Sequence, residues 1–178
     1  MNIEKVVVGN LRCNCYILDI NEKVLVIDPG DEFNKIDNVI NNREVVGVII
    51  THYHFDHIGC LNNIINKYKC NIYDINNMNE GLNNIDCFNF YIIYTPGHKE
   101  DEITIYFKKE KIMFCGDFIF KDSIGRWDLE GGNVKSMFNS INRIKKYDRD
   151  IVLYPGHGEN TTLGYEIDNN IYFNSNLI

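Results

Sequence analysis

The sequence has little of what a nucleic-acid-binding, membrane or secreted protein requires. Lysine and arginine total 18 against 25 acidic residues, giving a formal net charge of -7 and a pI near 5.2. Phosphate backbones are held by clustered Lys and Arg. The only short basic runs, Lys108-Lys109 and Lys145-Lys146, read as solvated faces, so no nucleic-acid partner is expected. No apolar stretch approaches the ~20 residues of a membrane span. The opening residues, Met1-Asn2-Ile3-Glu4-Lys5-Val6-Val7-Val8-Gly9, carry neither a signal-peptide core nor a cleavage pattern. No membrane partner and a cytoplasmic location are therefore expected. There is no CxxC pair: Cys13, Cys15, Cys60, Cys70, Cys87 and Cys115 are scattered in apolar stretches. That excludes a disulfide framework and gives a thiolate metal site little support. With only three prolines and no Pro/Gly/Ser-rich linker, residues 1–178 read as one domain, long enough to bury a core. Asparagine is abundant but scattered, which marks composition rather than a functional tract.

What is present is an alternation of short β-like runs and helical periodicity. Strands are expected at 4–8, 13–20 and 23–28, the last two joined by a tight turn at Asn21-Glu22. The continuous apolar run at 45–50 reads as a buried strand. A helix over 57–68 follows from Ile58, Leu61, Ile64, Ile65 and Tyr68 at helical spacing. Further strands are expected at 71–74, 88–94, 102–108, 111–115 and 151–154, with a short helix at 76–83. Amphipathic helices are expected at 134–147 and about 163–173. Strands lead and helices follow in each half, so two sheets with helices outside is the natural packing. Pro29, Pro96 and Pro155 each follow an apolar strand and precede Gly, marking strand-end loops.

Reactive side chains collect at those strand ends. The strongest segment is Thr51-His52-Tyr53-His54-Phe55-Asp56-His57-Ile58-Gly59. His52, His54 and Asp56 alternate and so point the same way in an extended loop, with His57 beginning a helix. The other segments are Thr95-Pro96-Gly97-His98, Gly116-Asp117 and Pro155-Gly156-His157-Gly158. A solitary loop histidine is usually an ordinary surface residue. Here all five histidines fall in these segments, and chance does not explain that. Four ligand-type side chains in one short stretch exceed what a single tetrahedral ion accepts, so two adjacent ions are expected. Imidazole and carboxylate suit Zn, Fe or Mn. Asp117 is the natural bridge, because one carboxylate can hold two cations with its two oxygens.

These segments, together with Asp28-Pro29-Gly30, resemble the metallo-β-lactamase superfamily in type and order, and most of all its short glyoxalase II-like (hydroxyacylglutathione hydrolase-like) branch. The resemblance spans most of the chain. It implies an α/β fold, an αββα sandwich of two mixed β-sheets with helices on both outer faces and the site at one edge. Carried over residue by residue, it implies that His52, His54 and His98 hold a first metal. Asp56, His57 and His157 hold a second, and Asp117 bridges them. It places Asp28 behind the ligands, orienting an imidazole, although an Asp before Pro-Gly equally suits a turn. Ser123-Ile124-Gly125-Arg126-Trp127-Asp128-Leu129-Glu130-Gly131-Gly132 resembles the loop that lies over the site in that branch, and Thr161-Thr162-Leu163-Gly164 also fits it. Arg126 is a candidate for contacting an anionic substrate group and Trp127 for an apolar wall. A structural ion pair of Arg126 with a nearby carboxylate is the competing expectation.

The implied cofactors are two divalent metal ions, zinc first, with iron or manganese as alternatives. The implied reaction is hydrolysis by a metal-bridging hydroxide, with Asp56 orienting the nucleophile. A thiolate leaves without a general acid, and no unassigned histidine remains to serve as one, so an acyl thioester is the expected small-molecule substrate. Full-length glyoxalase II carries a helical extension for glutathione that has no counterpart after His157, which suggests a smaller or different thiol ester. A mononuclear iron persulfide dioxygenase, a lactonase or β-lactamase, an RNA-processing enzyme and a non-catalytic metal-binding module are the alternatives. The acidic charge and short length weigh against the RNA-processing reading. The full ligand set weighs against a non-catalytic module.

Overall fold

The computed structural model describes residues 1–174. One sheet takes the order β1 (Asn2–Val8), β2 (Cys13–Ile20), β3 (Lys23–Ile27), β4 (Glu44–Ile49), β5 (Ile72–Tyr73). The second holds β6 (Gly81–Ile85), β7 (Phe88–Tyr94), β8 (Ile103–Phe107), β9 (Ile112–Gly116), β12 (Val152–Pro155) and β13 (Thr161–Thr162), side by side in that order. A two-stranded hairpin, β10 (Ile119–Phe120) and β11 (Ser123–Ile124), stands apart from both. The helices are α1 (Phe33–Ile40), α2 (Phe55–Ile58), α3 (Leu61–Tyr68), α4 (Val134–Ile144) and α5 (Leu163–Asn169). Both sheets are mixed: β3–β4, β4–β5 and β9–β12 pair parallel and the remaining pairs antiparallel.

Side-chain alternation explains why two sheets stack and helices cover them. Tyr16, Leu18, Leu25, Ile27, Ile103 and Ile105 point between the sheets, together with Phe88, Phe90 and Phe114. Their chain neighbours Cys15, Ile17, Val24 and Val26 point outward, onto Ile36 and Ile40 of α1 and Ile64 of α3. On the other side Met113 and Cys115 meet Met137, Phe138, Ile141 and Ile144 of α4. Strands buried on both faces must be apolar at consecutive positions, which is why β3, β8 and β9 read as continuous runs. The result is an αββα sandwich, as expected.

Four differences from the expected elements stand out, and the first two have a physical cause in the packing. The helix expected over 57–68 is two helices, α2 and α3. The loop after β3 docks at the break: Cys60 N–H donates to the Pro29 carbonyl at 2.9 Å, and a Cβ on Gly59 would stand 2.1 Å from the Gly30 carbonyl. The short helix expected at 76–83 is corrected: its second half begins edge strand β6, paired antiparallel with β7. Ile85 is buried between the sheets while Leu82 is exposed, so cross-strand pairing overrides local preference. Helix α1 and the β10–β11 hairpin have no counterpart in the sequence reading. The last two helices stop at Ile144 and Asn169, short of their expected ends.

The topology positions the site. Asp28 follows β3, the 51–57 segment follows β4, His98 follows β7, Asp117 follows β9 and His157 follows β12. The C-terminal ends of β3 and β4 are aligned by parallel pairing, as are those of β9 and β12. The two sheets are joined there by Ile103 N–H donating to the Thr51 carbonyl at 2.9 Å.

Candidate metal centre

His52 Nε2 and His98 Nε2 lie 3.0 and 2.9 Å from His54 Nδ1. Three ring nitrogens facing one another cannot all be satisfied by hydrogen bonds among themselves. A second cluster adjoins them. His157 Nε2 is 3.2 Å from Asp56 Oδ2, and His57 Nε2 is 3.8 Å from the same oxygen. Asp117 stands between the two: its Oδ1 is 3.3 Å from His57 Nε2, and its Oδ2 is 3.5 Å from His157 Nε2 and 3.7 Å from His98 Nε2. The donor atoms of His52/His54/His98, of His52/His57/Asp117 and of Asp56/His57/His157 each lie within 4.8 Å of one another. All seven residues expected to be ligands are thus brought to one place.

The outer ring nitrogens explain the orientation. His98 Nδ1–H donates to the Arg126 carbonyl at 2.7 Å, and His157 Nδ1–H to the Leu11 carbonyl at 3.0 Å. His57 Nδ1 is 3.0 Å from Asp28 Oδ2. His52 Nδ1 is 3.1 Å from Thr51 Oγ1, whose hydroxyl proton is committed to Asp28 Oδ2 at 2.6 Å. Each of these oxygens acts as an acceptor, which fixes the proton on Nδ1 and turns Nε2 inward. Asp28 therefore touches His57 directly and His52 through Thr51. It also accepts the Thr51 backbone N–H at 2.8 Å, which ties the end of β3 to the histidine segment.

The donor set fits metal ions on three observations. The buried atoms His57 Nε2 and Asp117 Oδ1 face each other at 3.3 Å but make no hydrogen bond with each other or with any other group among the described residues, although leaving such atoms unpaired costs about 1–3 kcal/mol each. Burial opposes charge on Asp117, yet His157 and His57 hold its carboxyl well below the usual range. Burial likewise opposes charge on His157, yet Asp117 and Asp56 raise it to about 9. The carboxylates Asp56 and Asp117 thus gather positive charge at one point, which divalent cations satisfy. The donors are imidazole and carboxylate, the set that suits zinc, iron and manganese. Cys13 Sγ approaches His57 Nδ1 at 3.7 Å from behind, and burial pushes that thiol up to about 11, so it offers no thiolate. All six cysteines are free.

Backbone approach is close here. A Cβ on Gly156 would stand 2.3 Å from Asp117 Oδ1 and 2.7 Å from His57 Cε1, so only glycine lets the loop after β12 close over both.

Three features diverge from or add to the sequence reading. Arg126 lines the cavity over the donors, and its guanidinium is held bidentate by Asp128 at 3.0 and 2.9 Å. The Trp127 ring packs on Phe138 and Tyr172, at centroid distances of 6.2 and 5.9 Å, and it is not among the residues lining the cavity. Leu129 of the same loop lines it instead. Glu102 was not anticipated. It is fully buried, accepts the Asp117 backbone N–H at 2.8 Å and places Oε1 3.9 Å from His52 Nδ1. Burial, reinforced by Asp117, pushes its carboxyl well up. Its one sequence signal is an acidic residue heading the apolar run Ile103-Thr104-Ile105-Tyr106-Phe107.

A two-sheet sandwich with seven imidazole and carboxylate donors at one edge defines a class, the metal-dependent hydrolases of this fold. The sequence matches the metallo-beta-lactamase superfamily over residues 8–75 and 79–157, and the chain belongs to that superfamily. Among curated relatives, "Hydroxyacylglutathione hydrolase GloC" of Haemophilus influenzae is 29% identical, covering 98% of this chain and 99% of its own length. Among solved structures, the BLEG-1 B3 metallo-beta-lactamase superposes with a TM-score of 0.93 at 25% identity, covering 98% of this chain and 100% of that one. TTHA1623 in a di-iron-bound form superposes with a TM-score of 0.86 at 26% identity, covering 94% of this chain and 98% of that one. No helix among the described residues is long and apolar enough to cross a membrane.

Proposed function

We propose that this protein is a binuclear metal-dependent hydrolase that cleaves a small acyl thioester. The observation that carries the reading is the pair of adjoining donor clusters with Asp117 facing both. His52, His54 and His98 would hold one ion, Asp56, His57 and His157 the other, with Asp117 shared. Divalent ions held this way acidify a coordinated water and polarise a carbonyl oxygen, the two requirements of acyl hydrolysis. A second complete cluster favours two ions over the single iron of a persulfide dioxygenase. Zinc, iron and manganese all suit the donors, and the di-iron form of TTHA1623 keeps iron beside zinc as a candidate.

The chain's own residues do the rest. Asp28 and Thr51 keep His57 and His52 in the tautomer that directs Nε2 inward. Asp56 is half-buried and lines the cavity, where its carboxylate can accept a hydrogen bond from an incoming nucleophile and orient it. All five histidines are engaged in the clusters, leaving none as a general acid. A leaving group that departs as a weakly basic anion suits such a site, and a thiolate does. The relative named as a hydroxyacylglutathione hydrolase supports thioester chemistry, and the six free cysteines support a reducing, cytoplasmic setting.

The deciding experiment pairs elemental analysis with a panel of thioesters, lactones and β-lactams, on the parent protein and on Asp117→Ala. About two equivalents of zinc, iron or manganese and preferential thioester hydrolysis are expected. The variant is expected to lose hydrolysis and retain less of both metals. A folded, metal-free preparation made without chelator, or full activity in the variant, would overturn the reading.

A further inference from the structure

Four large apolar side chains ring the donors: Leu11, Phe55, Phe120 and Leu129 line the same cavity of about 380 Å³ that Asp56 and Asp117 line. Leu11, Phe55 and Leu129 are 55%, 74% and 42% exposed, and none of the four belongs to the three hydrophobic cores. Apolar area left in water forgoes about 25 cal/mol for each Å². A cluster of it over convergent polar groups is how small-molecule sites are built.

The segments that carry these side chains are the ones that orient the donors. The Leu11 carbonyl accepts from His157, and the Phe120 ring centroid lies 6.1 Å from that of His157. Phe55 sits between His54 and Asp56, and Leu129 lies three residues after Arg126, whose carbonyl accepts from His98. Residues from separate segments therefore meet at one mouth because each segment also orients a donor.

The charges at the mouth complete the argument. Arg126 lines this cavity, with Asp128 bound along the Nε and Nη2 edge of its guanidinium. The adjoining rim carries Lys99 with Glu100 and Glu130. A carrier with free carboxylates meets two acidic side chains against one lysine on that rim, beside an arginine already paired with Asp128.

Resting on the thioesterase reading above, we propose that the mouth selects thioesters with an apolar acyl chain on an uncharged carrier. Leu11, Phe55 and Leu129 are its specificity-determining residues.

The test uses the metal-loaded protein with linear acyl thioesters of two to eight carbons, on N-acetylcysteamine and on glutathione. On the neutral carrier, kcat/KM is expected to rise about threefold to fourfold for each added methylene that is buried, and to exceed the glutathione series throughout. Phe55→Ser and Leu129→Ser are expected to flatten that chain-length dependence. Non-hydrolysable S-alkyl thioethers of the same carrier, titrated by calorimetry, are expected to tighten with chain length in the parent and not in the variants. Hydrolysis that is indifferent to chain length, or faster on glutathione, would overturn the proposal while leaving the thioesterase reading intact. Thioether binding without a chain-length trend would do the same. No hydrolysis of any thioester would instead remove the thioesterase reading.

Discussion

The Asp28 carboxylate and the His57 ring are held 3.0 Å apart, Oδ2 to Nδ1, across 29 residues of sequence. The same carboxylate accepts from the Thr51 backbone and hydroxyl. Asp28 itself takes a left-handed backbone conformation, with φ of 51°, which Asp tolerates better than most residues. An amide in its place keeps the shape but weakens the acceptor that fixes His57. Asp28→Asn is therefore expected to weaken metal binding by about 10–100-fold while the fold is retained. Competition with a chromophoric chelator, alongside a far-UV spectrum, measures both.

Glu102 supports Asp117 from behind. Removing its side chain leaves the Asp117 N–H without the acceptor seen at 2.8 Å. Glu102→Ala is expected to cost about 1–3 kcal/mol of stability, together with weaker metal retention. Glu102→Gln keeps an oxygen for that N–H and is expected to lie close to the parent in denaturant melts. Equal losses in the two variants would show that the charge, rather than the acceptor, matters.

Gly156 has no room for a methyl group. Gly156→Ala forces atoms apart where the Cβ would meet Asp117 Oδ1 at 2.3 Å and His57 Cε1 at 2.7 Å. Overpacking of this kind costs about 1–3 kcal/mol. Because the displaced groups are donors, the metal content after dialysis is expected to fall by more than the thermal midpoint alone suggests.

Metal removal is expected to destabilise the protein. Ions that bind only the folded chain stabilise it by about 2.7 kcal/mol at a free concentration 100 times Kd. For a domain of this size that corresponds to a fall of about 5–10 °C in Tm on chelation, read by differential scanning calorimetry with and without chelator. An unchanged Tm would argue that the donor clusters hold no ion.

Much of this was legible in the chain. The donor residues are short-range features: His52, His54, Asp56 and His57 lie in one segment, and each of the others follows a strand end. The doubly buried strands announce themselves as apolar runs such as residues 45–50. The β6 edge strand was not legible, because Asn83 and Asn84 break any apolar alternation and only pairing with β7 makes it extended. Nor was the break between α2 and α3, which depends on the loop from β3 arriving at Gly59 and Cys60.

By itself the sequence determined the chemistry of the site and the layering of the fold, since ligand type and hydrophobic period are properties of residues and their nearest neighbours. Only the tertiary structure decided what surrounds that chemistry. It set Asp28 on His57, put Glu102 behind Asp117, turned Trp127 onto Phe138, and left Leu11, Phe55 and Leu129 at the mouth. These are contacts between residues distant along the chain, and their partners are chosen by packing that no local pattern records.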